Sequence, residues 1–207
     1  DWFSKIRENF EKYFWVPSDG SLDSEYFIDF SLVTRRGIYK DTVGSCDPRS
    51  DYCFRPNLCV AMVVAPELFC VEHAKVALGN VGKVLLGKLG MKTLDPIHPR
   101  YAPFYDTQSR ENYFEAYGFN YHQGPEWVWV IGYYLRALLH FEREKPTLRE
   151  EIDEILSEHR DFIRSSPWGG IPELTNKGGI LCASSCPTQA WSAATLLDTL
   201  HAISTFY

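Results

Sequence analysis

Two stretches of this chain are apolar on almost every side of a helix, and they constrain the fold more than any other feature. Residues 58–65 read Leu-Cys-Val-Ala-Met-Val-Val-Ala, and residues 127–141 run apolar with few charges. A helix with no polar face has to be buried all round. Between and beside these two the pattern is amphipathic. Val71, Ala74, Leu78, Val81 and Leu85 share one face of a helix over 71–86. Leu148, Ile152, Ile155, Leu156, Phe162 and Ile163 point inward from a more solvated one, opened by Thr147 and Glu150 at capping-box spacing. A first helix carries Trp2, Phe3, Ile6, Phe10, Tyr13 and Phe14 and stops before Pro17 and Gly20. Pro125 is expected at the first position of the second buried helix, and Pro187 is expected to open a last helix that runs through Ala202.

Nearly all-apolar helices therefore alternate with amphipathic ones, joined by long polar-aromatic loops over 18–55, 90–121 and 166–185. That alternation predicts an all-α fold with two concentric helix layers, an α/α barrel in which inner helices are sheathed by outer ones. A complete barrel of six helical hairpins needs roughly twice the helices found here. Either sequence outside this chain completes it, or the chain is a smaller helical array. The abrupt start, Asp1-Trp2-Phe3, is read as that of a fragment, so residues 1–207 are taken as part of a single domain.

Composition narrows the partners. The net charge is −6, with no basic cluster beyond Arg35-Arg36, which argues against nucleic acid as a partner. The longest apolar run, 58–66, is too short to span a bilayer. Aromatic residues make up 15% of the chain, a high share compatible with a sugar-binding cleft. Six cysteines, without a signal peptide or an Asn-x-Ser/Thr sequon, are read as reduced thiols in the cytoplasm. Cys182 and Cys186 form the only close pair and lack further ligands at zinc spacing, so neither a metal nor a cofactor is expected.

Three loop-to-helix junctions share a design. Arg55-Pro56-Asn57, Tyr121-His122-Gln123-Gly124-Pro125-Glu126-Trp127 and Cys186-Pro187-Thr188-Gln189-Ala190-Trp191 each place proline near a helix start, with hydrogen-bonding or indole groups around it. In an α/α barrel the inner helices begin at one end, so these groups would converge on a single pocket lined by free helix N–H donors. Arg55, Asn57, His122, Gln123, Glu126 and Gln189 can fork hydrogen bonds to vicinal hydroxyls, and Trp127 and Trp191 can stack on pyranose C–H faces. The competing reading makes the amides helix caps and the indoles core. Asp95, Asp106, Glu126 and Glu173 are the candidate carboxylates at that end. Glu173 sits among apolar neighbours in Ile171-Pro172-Glu173-Leu174, surroundings that raise a carboxyl pKa by desolvation. On the first turn of a helix, Glu126 would be held ionised by the dipole and would suit substrate binding.

The strings Arg35-Arg36-Gly37-Ile38-Tyr39-Lys40-Asp41, Arg55-Pro56-Asn57, Asn120-Tyr121-His122-Gln123-Gly124-Pro125-Glu126-Trp127, Pro172-Glu173-Leu174-Thr175-Asn176 and Thr188-Gln189-Ala190-Trp191-Ser192 resemble the end of the eukaryotic glycogen debranching enzymes. The resemblance covers nearly the whole chain, with residues 16–33 departing from it. It implies the C-terminal part of an amylo-α-1,6-glucosidase region, an (α/α)6 toroid similar to those of glucoamylase-like enzymes. It implies inverting hydrolysis of single α-1,6-linked glucose stubs on glycogen or limit dextrin, beside a 4-α-glucanotransferase elsewhere in the same polypeptide. Inversion needs an acid and a base about 6.5–9.5 Å apart. The resemblance gives the base role to Glu173. The family's acid, an aspartate in an upstream motif, has no match here, so the N-terminal remainder of the polypeptide would supply it and the isolated chain would be inactive. A non-catalytic glycogen-binding module is the alternative, and a barrel enzyme acting on other sugars is a remote third.

Overall fold

The computed structural model describes residues 1–108 and 119–206. In chain order, α1 (Trp2–Phe14) leads into β1 (Trp15–Val16), which pairs with β2 (Ile38–Tyr39). A single turn, α2 (Pro48–Asp51), precedes α3 (Asn57–Val64) and α4 (Val71–Val84). Strands β3 (Met91–Lys92) and β4 (Glu126–Trp127) flank the long loop, and β4 runs almost directly into α5 (Trp129–Phe141). Helix α6 (Leu148–Ser165), strands β5 (Leu174–Asn176) and β6 (Ile180–Leu181), and α7 (Ala190–Phe206) complete the chain.

Helix α5 is the centre. Nine of its 13 residues are buried, as its nearly unbroken apolar sequence requires, and it packs on α3, α4, α6 and α7. Its closest neighbour is α7. Gly132 makes that approach possible, because a Cβ there would lie 2.4 Å from the Thr195 carbonyl oxygen. The Thr199 hydroxyl, 3.1 Å from the Gly132 carbonyl, spans the same seam. The amphipathic helices bury most of the expected faces, Ala74, Leu78, Val81 and Leu85 at α4 and Leu148 and Ile152 in α6, while Val71 and Ile163, also expected inward, are exposed. At the other side of the core, α1 anchors through Phe10 and Phe14 and through Glu11. That carboxylate accepts from the Tyr39 hydroxyl at 2.5 Å and the Cys70 amide at 2.6 Å.

The structure corrects several expectations. The chain is predominantly helical but not all-α: β3, β4, β5 and β6 form an antiparallel sheet in that order. Helix–helix packing among the described residues radiates from α5. Helix α3 is buried through Leu58, Cys59 and Met62 only, and Val64 is exposed. Pro125 does not start a helix. Gly124, at φ +151°, lies against Ala102, where a Cβ would meet the Ala102 carbonyl carbon at 2.8 Å. From there, pairing with β3 and β5 holds 126–127 extended until Trp129. Pro187 is likewise too early. The Cys186 carbonyl accepts from the Glu173 amide and the Gln189 amide donates to Ile171, so 186–189 form a bent segment tied to 171–173 and the helix starts at Ala190. The capping box does not form either: the Thr147 hydroxyl donates to Glu151 at 2.6 Å instead of capping the backbone.

Replacing Gly132 with Ala forces a side chain into the Thr195 backbone. We expect Gly132→Ala to cost about 1–3 kcal/mol, the range for overpacking a tight seam. Chemical denaturation checks this, and an unchanged midpoint would show that α5 and α7 separate freely.

Candidate active site

The open end of the fold is organised around Arg55, at the entrance to α3. Its Nη1 donates to the Thr93 carbonyl at 2.7 Å and to the His122 carbonyl at 2.6 Å, and its Nη2 donates to the Gln123 side chain at 2.9 Å. Its Nε lies 3.5 Å from the Asp41 carboxylate. This fork is nearly spent on the protein, so Arg55 positions the loops more than it offers itself to a ligand. Asn57, two residues on and the first residue of α3, donates to Asp41 at 2.7 Å. Asp41 follows β2, its backbone amide bonded to the Asp51 carbonyl at 2.9 Å.

These residues floor a cleft of about 470 Å³. Asp41, Arg55, Asn57 and Thr93 supply its polar side, and His122, Trp127, Trp129 and Trp191 its aromatic side. Trp127 is nearly buried. Its ring stacks on His122 at 4.9 Å, and its Nε1 donates to the Tyr121 carbonyl at 2.9 Å. Trp191 stacks on Trp129 at 4.0 Å yet stays 48% exposed, so a flat apolar face remains open. Burial, reinforced by the Arg55 charge, pushes the His122 imidazole below its ordinary pKa. That favours a neutral ring, able to accept as well as donate a hydrogen bond.

Of the residues singled out in the sequence, Arg55, Asn57, His122, Trp127 and Trp191 thus line one cleft. Gln123 holds Arg55 and faces a neighbouring cavity of about 300 Å³. Gln189 lies outside the cleft wall, its side-chain oxygen 3.3 Å from the Ser192 hydroxyl. Glu126 is on a strand, not a helix, and is buried. The Gly178 and Gly179 amides donate to it at 2.9 and 3.1 Å, and the Thr175 hydroxyl at 3.3 Å. Its carboxylate therefore fastens the β5–β6 turn and does not face the cleft. Asp95 is spent in a buried pair with Arg35, and Asp106 is exposed, accepting from Gln108 and Ser184.

Glu173 immediately precedes β5 and is half-buried. Its backbone is pinned on both sides: its amide donates to Cys186 and its carbonyl accepts from Val128. Of the carboxylate oxygens, Oε1 accepts from the Tyr121 hydroxyl at 2.5 Å and Oε2 from the Cys186 amide at 3.2 Å. Each oxygen keeps acceptor capacity, as proton abstraction from water requires. The carboxylate is not itself a wall of the 470 Å³ cleft. Tyr121 connects the two, with its ring 4.7 Å from Trp127 and 4.9 Å from His122.

Two residues here escaped the sequence reading. Asp41 stood at the end of a recognised string, and Tyr121 opened a recognised junction, but nothing in their spacing distinguished them. Among the described residues no three His, Cys, Asp or Glu side chains are grouped to hold a metal, and no helix is long and apolar enough to cross a membrane. The cysteines are unpaired, with Cys46, Cys70 and Cys186 exposed.

Stacked indoles thus face a carboxylate, an amide and a guanidinium across a half-enclosed cleft of the size that takes small ligands, with a separately held glutamate beside it. Residues 1–198 match the family described as amylo-alpha-1,6-glucosidase, and the chain belongs to that family. It is 45% identical over 216 residues to the glycogen debranching enzyme of Saccharomyces cerevisiae (strain ATCC 204508 / S288c), a match covering 97% of this chain. The chain spans 14% of the length of that curated relative.

Burial raises the Asp41 carboxyl above its ordinary pKa, against the opposing pull of the Asn57 hydrogen bond and the Arg55 charge. The folded chain then holds this proton more tightly than the unfolded one. The stability contributed by Asp41 is full below the unfolded carboxylate range and is lost as pH rises through the raised value. Asp41→Asn, which still accepts from Asn57, is therefore expected to raise the thermal midpoint near neutral pH. The gain should close as pH falls below about 3, where the carboxyl is neutral in the folded and the unfolded chain alike. A midpoint that falls at neutral pH would mean the Arg55 pairing outweighs desolvation.

Proposed function

We propose that this chain supplies the base side of a glycoside hydrolase site that releases single α-1,6-linked glucose stubs from glycogen or limit dextrin with inversion. Glu173 is the base. Family membership supports the substrate and the reaction. The observation that carries the residue assignment is the way Glu173 is held: a carboxylate fixed by the Tyr121 hydroxyl and the Cys186 amide, with acceptor capacity left on both oxygens. A water resting on that carboxylate loses its proton as it attacks the anomeric carbon. Trp191 and Trp127 give the sugar its apolar faces, while Asp41, Asn57 and His122 take its hydroxyls.

The acid that protonates the leaving oxygen belongs, in this reading, to sequence before Asp1. So do the helices that complete an (α/α)6 toroid around α3, α5 and α7. The bare flank of α7, where Leu197 and Leu200 are 64% and 50% exposed, supports that part of the reading. The unpaired thiols suit a reducing compartment such as the cytoplasm.

In the full-length protein, Glu173→Gln should lower glucose release from a phosphorylase-limit dextrin by about 10²–10⁴-fold, the span attributed to a general base. Glucan transfer, assayed on the same sample, should persist. Undiminished release would remove Glu173 from the reaction. A complete protein that binds maltooligosaccharide but never releases glucose would make the chain a binding module.

A further inference from the structure

We infer that Tyr121 is a positioning residue for Glu173: it holds the base through its hydroxyl and ties the base to the aromatic wall of the cleft through its ring and carbonyl. This rests on the reading of Glu173 as the base. The hydroxyl donates to Glu173 Oε1 at 2.5 Å. The ring has no freedom to swing away. It is packed 4.8 Å from Tyr105, 4.9 Å from His122 and 4.7 Å from Trp127. Its backbone carbonyl accepts from Trp127 Nε1. The His122 carbonyl, one residue on, is clamped by Arg55. One residue therefore joins the carboxylate to the walls that would grip the sugar.

The geometry decides what Tyr121 can do. A phenol donating to a carboxylate stabilises the ionised form by a charge-assisted hydrogen bond. Burial and the Glu173 carboxylate push the Tyr121 hydroxyl above its ordinary range, so it remains a donor across the working pH. Tyr121 thus neither takes nor gives a proton during turnover; it fixes where Glu173 points and keeps it an acceptor. Among the described residues, the other titratable groups facing this pair are Tyr105 and Cys182, both raised by burial, and His122, lowered by burial. Asp106 acts on Cys182 and Arg55 on His122. None of these groups is hydrogen-bonded to the Glu173 carboxylate, whose second donor, the Cys186 amide, does not titrate.

The test is Tyr121→Phe in the full-length protein, with Glu173→Gln and Tyr105→Phe in parallel. Each is assayed for glucose release from limit dextrin. Losing the donor should lower kcat about tenfold, the scale of one charge-assisted hydrogen bond, with KM little changed because no sugar contact is lost. Tyr105→Phe keeps the packing and removes no bond to Glu173, so its kcat should stay near the wild-type value.

If Glu173→Gln still releases glucose, the base assignment fails and the inference about Tyr121 falls with it. If Glu173→Gln is silent but Tyr121→Phe keeps the wild-type kcat, the base assignment stands and Tyr121 is only packing. A rise in KM alone, with kcat unchanged, overturns the inference in the same way. A Tyr121→Phe protein that unfolds at assay temperature is compared with the wild type below its own thermal midpoint, and kcat and KM are read there.

Discussion

The Arg55 guanidinium joins the start of α3 to the loop before β4, to the Thr93 carbonyl after β3 and to Asp41 after β2. Those segments are far apart in the chain, and backbone pairing links them through two-residue strands and single hydrogen bonds such as that from the Asp95 amide to the Phe54 carbonyl. A planar fork with donors fixed in direction can satisfy two carbonyls and an amide at once; an ammonium at the same place could not keep all of these geometries. The Arg55 side chain is 17% exposed, so its bonds are made in surroundings where losing a partner would leave carbonyls unsatisfied. Asp41, Asn57, His122 and Trp127 occupy the same cleft because this group holds their loops in register.

The helices were legible because their periodicity is long enough to be read. The faces of α4 and α6 and the buried character of α5 follow from patterns sustained over several turns. The sheet was not legible, since strands of two or three residues carry no alternation to detect. Pro125 shows how the misreading arose. Its sequence context satisfies the rule for a first helical residue, but pairing of 126–127 with β3 and β5 overrides local preference and postpones the helix to Trp129. The same displacement moves Glu126 from a helix N-terminus to a strand whose side chain is taken up by the amides of Gly178 and Gly179. A hydrogen bond between residues 52 positions apart leaves no trace in a window of eighteen, and the bond from Tyr121 to Glu173, which spans the same separation, went unread for that reason.

The candidate carboxylates sort by what already satisfies them. Asp95 meets a guanidinium, and Glu126 meets two backbone amides and a hydroxyl. Both are buried and saturated, which makes them parts of the scaffold. Asp106 is exposed, and its carboxylate accepts from the nearby Gln108 amide and the Ser184 hydroxyl. Glu173 and Asp41 differ from all three: each is only partly enclosed and each retains acceptor capacity at the open end of the fold. Sequence spacing ranked Glu173 first on its apolar neighbours. The structure adds the reason that matters more, the pinning of its backbone between Val128 and Cys186.

That pinning explains an otherwise puzzling feature, the strand interposed between the loop and the main buried helix. If α5 began at Pro125, as the local sequence favours, residues 126–127 would spend their backbone groups within the helix. They could not then pair with 174–175, and the Val128 amide would not reach the Glu173 carbonyl. Delaying the helix by a few residues gives Glu173 a rigid neighbour on its cleft side. It also turns the Trp127 indole towards the Tyr121 carbonyl. The departure from helical preference thus falls where the catalytic proposal needs it, between the aromatic wall and the carboxylate. Local and global preferences are expected to disagree at functional sites, where position is worth more than propensity.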